Sequence, residues 1–206
     1  MAGSLERRPE SNPNNGGGQH GNLWRIAAWA GAVILLLLPL VAMQVSDEVN
    51  WGPLDFAVAG ILLFGTALGV ELAVRRSSSG TYRLAAGLAL VGALLLIWIN
   101  LAVGIIGDEG DRANLLYLGV LAVGLGGALL ARFEAGGMAR AMLLTAIAVA
   151  IVGVVALAAG WGATGPRWPL DVAGLTGFFA ALFGGSAWLF RQAARGEGDQ
   201  GRLVSG

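Results

Sequence analysis

"NWGPLDFAVAGILLFGTALGVELAVRR", residues 50–76, opens on a tryptophan and a Pro-Leu-Asp triplet, runs on as apolar sequence, and closes on a glutamate and two arginines. From Leu54 to Val74 the run meets the length that a helix needs to cross a bilayer, about 20 predominantly apolar residues. Proline fits the first helical turn, where its missing N–H has no partner to lose. Asp55 in that turn meets the positive end of the helix dipole. Trp51 suits a membrane interface, and Arg75 with Arg76 marks a cytoplasmic end. The segment therefore reads as one spanning helix that starts on the outer face. Its opening recurs in "RWPLDVAG", residues 167–174, with Asp171 in the place of Asp55. Both aspartates are expected as helix-start caps; the competing reading sets them as a pair at the mouth of a cation path.

The rest of the chain follows the same grammar. Of 206 residues 56% are hydrophobic and only 13% charged, against about 25% charged in soluble domains. Five more segments qualify as spans: Ile26–Val45, Leu84–Ile106, Ala113–Ala131, Ala141–Trp161 and Leu170–Phe190. The apolar run of the first is too long for a signal-peptide core of about 7–15 residues, so it is expected to stay as an uncleaved span. The polar stretches 1–22 and 193–206 are expected as disordered cytoplasmic tails, leaving 23–192 as the transmembrane domain. All basic residues are arginine. Arg7, Arg8, Arg25, Arg75, Arg76, Arg83, Arg132, Arg140, Arg191, Arg195 and Arg202 fall on one side, and only Arg112 and Arg167 on the other. By the positive-inside rule both termini are then cytoplasmic.

Arginines also keep a period. Arg25, Arg83 and Arg140 open the odd spans at spacings of 58 and 57, and Arg75, Arg132 and Arg191 close the even spans at 57 and 59. Asp55 and Asp171 recur in phase, with Asp111 and Asn114 roughly in that place in the middle copy. A fixed period of this size points to repeated supersecondary units. The predicted fold is an all-α, integral membrane six-helix bundle of three parallel helical hairpins, 25–76, 83–132 and 140–191, about an axis along the membrane normal, as in some transporters.

Ionisable and strongly polar groups inside a membrane are functional candidates by default, and few occur here. Glu71 stands four residues before Arg75, a spacing that favours an ion pair on one helix face; the alternative is a proton or cation site. Asn100 lies roughly 6 Å from the midplane at 1.5 Å per residue, on a stripe with Ala86, Ala89 and Ala93. It is expected to bond across a helix contact, with a ligand contact as the alternative. Gly65 and Gly69 form the close-approach motif of membrane helices, and Gly124, Gly127, Gly184 and Gly185 are expected to pack in the same way.

Other chemistry is missing. The chain has no cysteine and one histidine, His20, in the first tail. Thiolate, Cys-ligated cluster and haem sites therefore lack ligands. Intramembrane proteolysis would need a nucleophile with its base or two deep aspartates. No basic surface suits nucleic acid. No catalytic residue, cofactor or metal is expected. The partners expected are the lipid bilayer and other membrane proteins or a second copy. The role expected is that of a non-enzymatic accessory or structural membrane component, with a small channel or transporter along the repeat axis as the alternative.

The outer loops and flanks "LPLVAMQVSDEVNWGPLDFAVAGILLFGTALGVELAVRR", "INLAVGIIGDEGDRANLLYLGVLAVG" and "RFEAGGMARAM" together resemble a set of small multi-pass bacterial inner-membrane proteins, over residues 24–192. The resemblance implies a bacterial plasma membrane; it carries no activity, cofactor or site.

Overall fold

The computed structural model describes residues 16–45, 50–108, 110–163, 165 and 167–204. They form six helices: α1 Gly16–Val45, α2 Pro53–Arg76, α3 Gly80–Ala102, α4 Leu116–Leu130, α5 Ala135–Ala159 and α6 Leu170–Val204, with a short 3-10 turn, Arg112–Leu115, leading into α4. All six are long and apolar enough to cross a membrane, α4 together with its leading turn. Residues 1–15, most of the first expected tail, lie outside the described residues. Helix α1 already begins at Gly16, and α6 continues without a break to Val204, into the residues expected as the second tail. That continuation has a simple cause: elongating a helix already nucleated in an anchored span costs far less than starting one.

Local chemistry sets the ends. Gly52 is the N-cap of α2, Pro53 its first residue, and the Asp55 carboxylate accepts the Gly52 N–H at 2.8 Å. Arg83 donates to the Ser77 and Val74 carbonyls, satisfying acceptors that the end of α2 leaves open. The second Pro-Leu-Asp is built differently. Pro169 follows a cis peptide bond and precedes α6, and among the described residues the Asp171 side chain accepts only the N–H of Val172.

Two helices end in the same hydrogen-bonded motif with different residues. In α5 the Gly160 N–H reaches Leu157 O and the Trp161 N–H reaches Ala156 O, with Gly160 left-handed at φ 68°. In α4 the Arg132 N–H reaches Leu129 O and the Phe133 N–H reaches Ala128 O, but the left-handed position, φ 49°, is held by Arg132. This is the Schellman arrangement, which favours glycine because a Cβ crowds its own backbone there. Arg132→Gly is therefore expected to stabilise the chain by about 1 kcal/mol. The gain would be read as a rise of about 2–4 °C in thermal midpoint.

The packing order differs from the order of the chain. Helix α1 packs on α2, α2 on α3, α3 on α6, α6 on α5 and α5 on α4. The first and third expected hairpins pack helix against helix, but α3 and α4 barely touch. Shape explains the preference. Lipid tails are as apolar as the helices, so association depends on fit and hydrogen bonds. Helix α3 presents Ala85, Ala86, Ala89 and Gly92, and α6 answers with Phe179, Phe183, Phe190 and Ser186. A Cβ on Gly92 would lie 3.3 Å from the Phe183 ring, and the Ser186 hydroxyl donates to Ala85 O at 2.9 Å. Tyr82 stands edge-on to Phe190 at 5.1 Å and donates its hydroxyl to Phe133 O at 2.6 Å, tying the start of α3 to the α4–α5 turn. The main core lies among α3, α4, α5 and α6. Helix α1 is attached mainly through α2, over a small cluster of Ala32, Leu63 and Ala67 against which Leu94 of α3 also packs.

Candidate functional site

Glu71 is buried, and its carboxylate is fully engaged. One oxygen accepts from Arg25 at 3.0 Å and from both Nε and Nη2 of Arg75; the other accepts the Trp29 indole N–H at 3.0 Å. Arg75 comes from the next turn of α2, as the four-residue spacing implies. Arg25 and Trp29 come from α1, one turn apart on a face that turns toward α2. Two guanidiniums against one carboxylate leave the cluster positive, so a cation arriving here meets repulsion. The chemistry it offers is attachment: it fastens the end of α1 to α2. Glu71→Ala is expected to release α1, because Arg25 and Trp29 lose their shared acceptor. Amide exchange along α1 should rise while α3, α5 and α6 keep their protection.

Asn100 and Asn114 lie together at the acid-rich end. The Asn100 side chain donates to Asn114 O at 3.2 Å, so its partner is the turn into α4. Asn114 does more. Its Oδ1 accepts the N–H groups of Ile105 and Ile106 at 3.1 and 2.9 Å, and its Nδ2 donates to Ile106 O and Asp108 O at 3.1 and 2.6 Å. The loop after α3 thereby turns inward and buries both isoleucines. Sequence reading placed Asn114 only as a counterpart of the aspartates; nothing local marks it as an organiser of the loop. Asp55 and Asp171 are both exposed, each engaged at its own helix start, and among the described residues no hydrogen bond or ion pair joins them.

The glycines divide. A Cβ on Gly69 would meet Leu90 of α3 at 2.7 Å, one on Gly124 would meet the Thr145 hydroxyl of α5 at 3.0 Å, and one on Gly127 would meet Ala141 at 2.8 Å. Gly185 is in ordinary contact with Leu88 at 3.5 Å. Gly65 and Gly184 face open space, so the Gly65–Gly69 motif is not a seam within this chain. Gly92 and Gly153, which no motif singled out, carry close contacts to α6.

The weak α3–α4 contact leaves a cavity of about 690 Å³ between α2 and α3 on one side and α4 and α5 on the other, with Phe183 of α6 in its wall. Small side chains shape it: Gly69 and Ala73, Ala89 and Ala93, Ala122 and Ala128. Leu72 and Leu125 line it and are largely exposed, which places them at its lateral mouth. At the arginine-rich end it adjoins a polar chamber of about 330 Å³ lined by Arg76, Ser77, Tyr82, Glu134 and Glu197, and Arg76, Tyr82 and Phe133 border both spaces. Neither Asn100 nor Glu71 lines either one. Among the described residues no three His, Cys, Asp or Glu side chains converge as a metal site.

No protein-family model, curated protein or solved structure matches this chain.

Proposed function

We propose that the chain is a multi-pass component of a bacterial inner membrane, with both termini in the cytoplasm, acting through helix and lipid contacts without catalysing a reaction. The observation that carries this reading is the lateral groove. It is walled mostly by alanine, leucine, glycine and other apolar side chains and opens sideways, so what it can receive is an apolar chain or helix. The polar groups within the spans support the same reading, because Glu71 and Ser186 are spent on holding helices together. Exposed large apolar side chains occur on all six helices, as lipid-facing surfaces require. Orientation rests on the arginine asymmetry, and the repeat on the arginine spacings.

Absence of cysteine makes a clean topology test. A single cysteine at Asp108 should react with an impermeant maleimide in intact spheroplasts, and one at Ser78 only after permeabilisation; the reverse pattern would overturn the orientation. Asp55, Asp108, Asp111 and Asp171, at the end opposite most of the arginines, favour a second reading, a small channel or transporter. Its test is ion flux in liposomes for the parent, Asn100→Ala and Glu71→Gln. Parent flux above that of empty liposomes, lost in either variant, would replace the accessory reading with the transport one.

A further inference from the structure

We propose that the groove and the polar chamber together hold one phospholipid with an ethanolamine head group, one acyl tail lying along α3 and the head group between Arg76 and the carboxylates of Glu134 and Glu197. The inference rests on the membrane reading above and deepens it by naming an occupant.

Dimensions come first. The α3 wall runs from Tyr82 to Ile97, roughly 22 Å at 1.5 Å per residue. One leaflet of hydrocarbon is about 15 Å deep, half of the core thickness, so a tail entering at the arginine-rich end is covered over its leaflet depth. Leu72 and Leu125 flank the opening, which lets a tail enter sideways from the bilayer. A gap left empty between helices forfeits the dispersion contacts of its walls, and a flexible hydrocarbon chain restores them.

Charge selects the head group. Arg75 is held by Glu71, whereas Arg76 makes no ion pair among the described residues and faces the chamber. A guanidinium can take a phosphate through two parallel N–H donors. Glu134 and Glu197 line the same chamber. A purely anionic head group would set its phosphate near two carboxylates, offset by Arg76 and, from the groove wall, by Arg75, which Glu71 already holds. An ethanolamine head group brings an ammonium with three N–H donors, which suits two carboxylates. A choline head group has the charge but no N–H to donate. Tyr82 is a wall here, since its hydroxyl is already committed to Phe133 O.

The test uses the full-length chain in nanodiscs of equal phosphatidylethanolamine, phosphatidylglycerol and phosphatidylcholine with identical acyl chains, released into mild detergent and read by native mass spectrometry. One lipid should stay bound, the ethanolamine form about tenfold over the other two. Arg76→Gln should lower its retention about tenfold. Glu134→Gln with Glu197→Gln should shift the preference to phosphatidylglycerol. Ala93→Phe, which fills the groove, should expel the lipid; if that variant does not fold, Ala122→Phe fills it from the exposed opposite wall. Equal retention of the three lipids, retention unmoved by Arg76→Gln or by groove filling, or a protein dimer in place of bound lipid would overturn the proposal. Maleimide labelling reads membrane orientation independently, so loss of the lipid and loss of the membrane reading give different results.

Discussion

Replacing Asn114 with leucine is expected to cost about 2–6 kcal/mol, the largest loss from any single polar side chain in this protein. Leucine has the same branching as asparagine and bulkier ends, so none of the effect comes from a cavity. The cost comes from the N–H groups of Ile105 and Ile106, which are buried and share the Asn114 Oδ1 as acceptor. Each buried donor left unpaired costs about 1–3 kcal/mol. The carbonyls of Ile106 and Asp108 lose their donor as well. Consequences should spread to the α5–α6 loop, because Gly162, left-handed at φ 76°, packs directly on Gly107: a Cβ on Gly162 would lie 2.6 Å from the Gly107 N. Asn114→Asp keeps an acceptor for both amides and should fall between parent and leucine variant. Asn100→Ala removes one 3.2 Å bond and should cost only about 0.5–1.5 kcal/mol. Unfolding in mixed micelles with increasing SDS measures all three. Equal losses for Asn100→Ala and Asn114→Leu would mean that the loop is not organised around Asn114.

That ranking reverses the one the sequence suggests, and the reason is physical. Asn100 stands out in sequence because depth in an apolar run is a local property. Asn114 follows a polar loop, and its importance depends on where that loop folds back, which is a tertiary property. The same division runs through the whole chain. Six apolar helices are legible because each is encoded in its own 20 or so residues. Asp55 is legible as a cap because its partner is three residues away. Asp171, in the same triplet, engages a different amide because Pro169 sits outside its helix. The pairing of α3 with α6 is not legible. Hydropathy is nearly uniform around these helices, and the choice rests on which small face meets which large side chain. Glu71 shows both halves at once: Arg75 is written into the spacing, whereas Arg25 and Trp29 are reached across 46 and 42 residues. The groove follows from the same cause, since it exists only because α3 prefers α6 to its neighbour in sequence.

Gly153→Ala is the sharper test of that packing, because it adds only a methyl group. The added Cβ would fall on Thr176 of α6, against its Cβ as well as its hydroxyl and methyl. A rotamer change moves the last two but not the Cβ, so α5 and α6 must separate. These two helices form the most extensive contact in the fold, and neither can shift alone, because α6 also holds α3 and α5 also holds α4. Overpacking of this kind costs about 1–3 kcal/mol, beyond the gain of up to about 1 kcal/mol that alanine brings to a helix interior. Three controls separate the terms. Gly65→Ala adds the same methyl to open space and should be neutral or stabilising. Gly124→Ala has its one tight contact with the Thr145 hydroxyl, at 3.0 Å, and should cost less than Gly153→Ala. Thr176→Gly placed on Gly153→Ala removes the side chain that the added methyl strikes and should recover part of the loss, whereas Thr176→Gly alone should not stabilise. If Gly153→Ala unfolds at the same SDS fraction as Gly65→Ala, the α5–α6 seam is looser than this geometry.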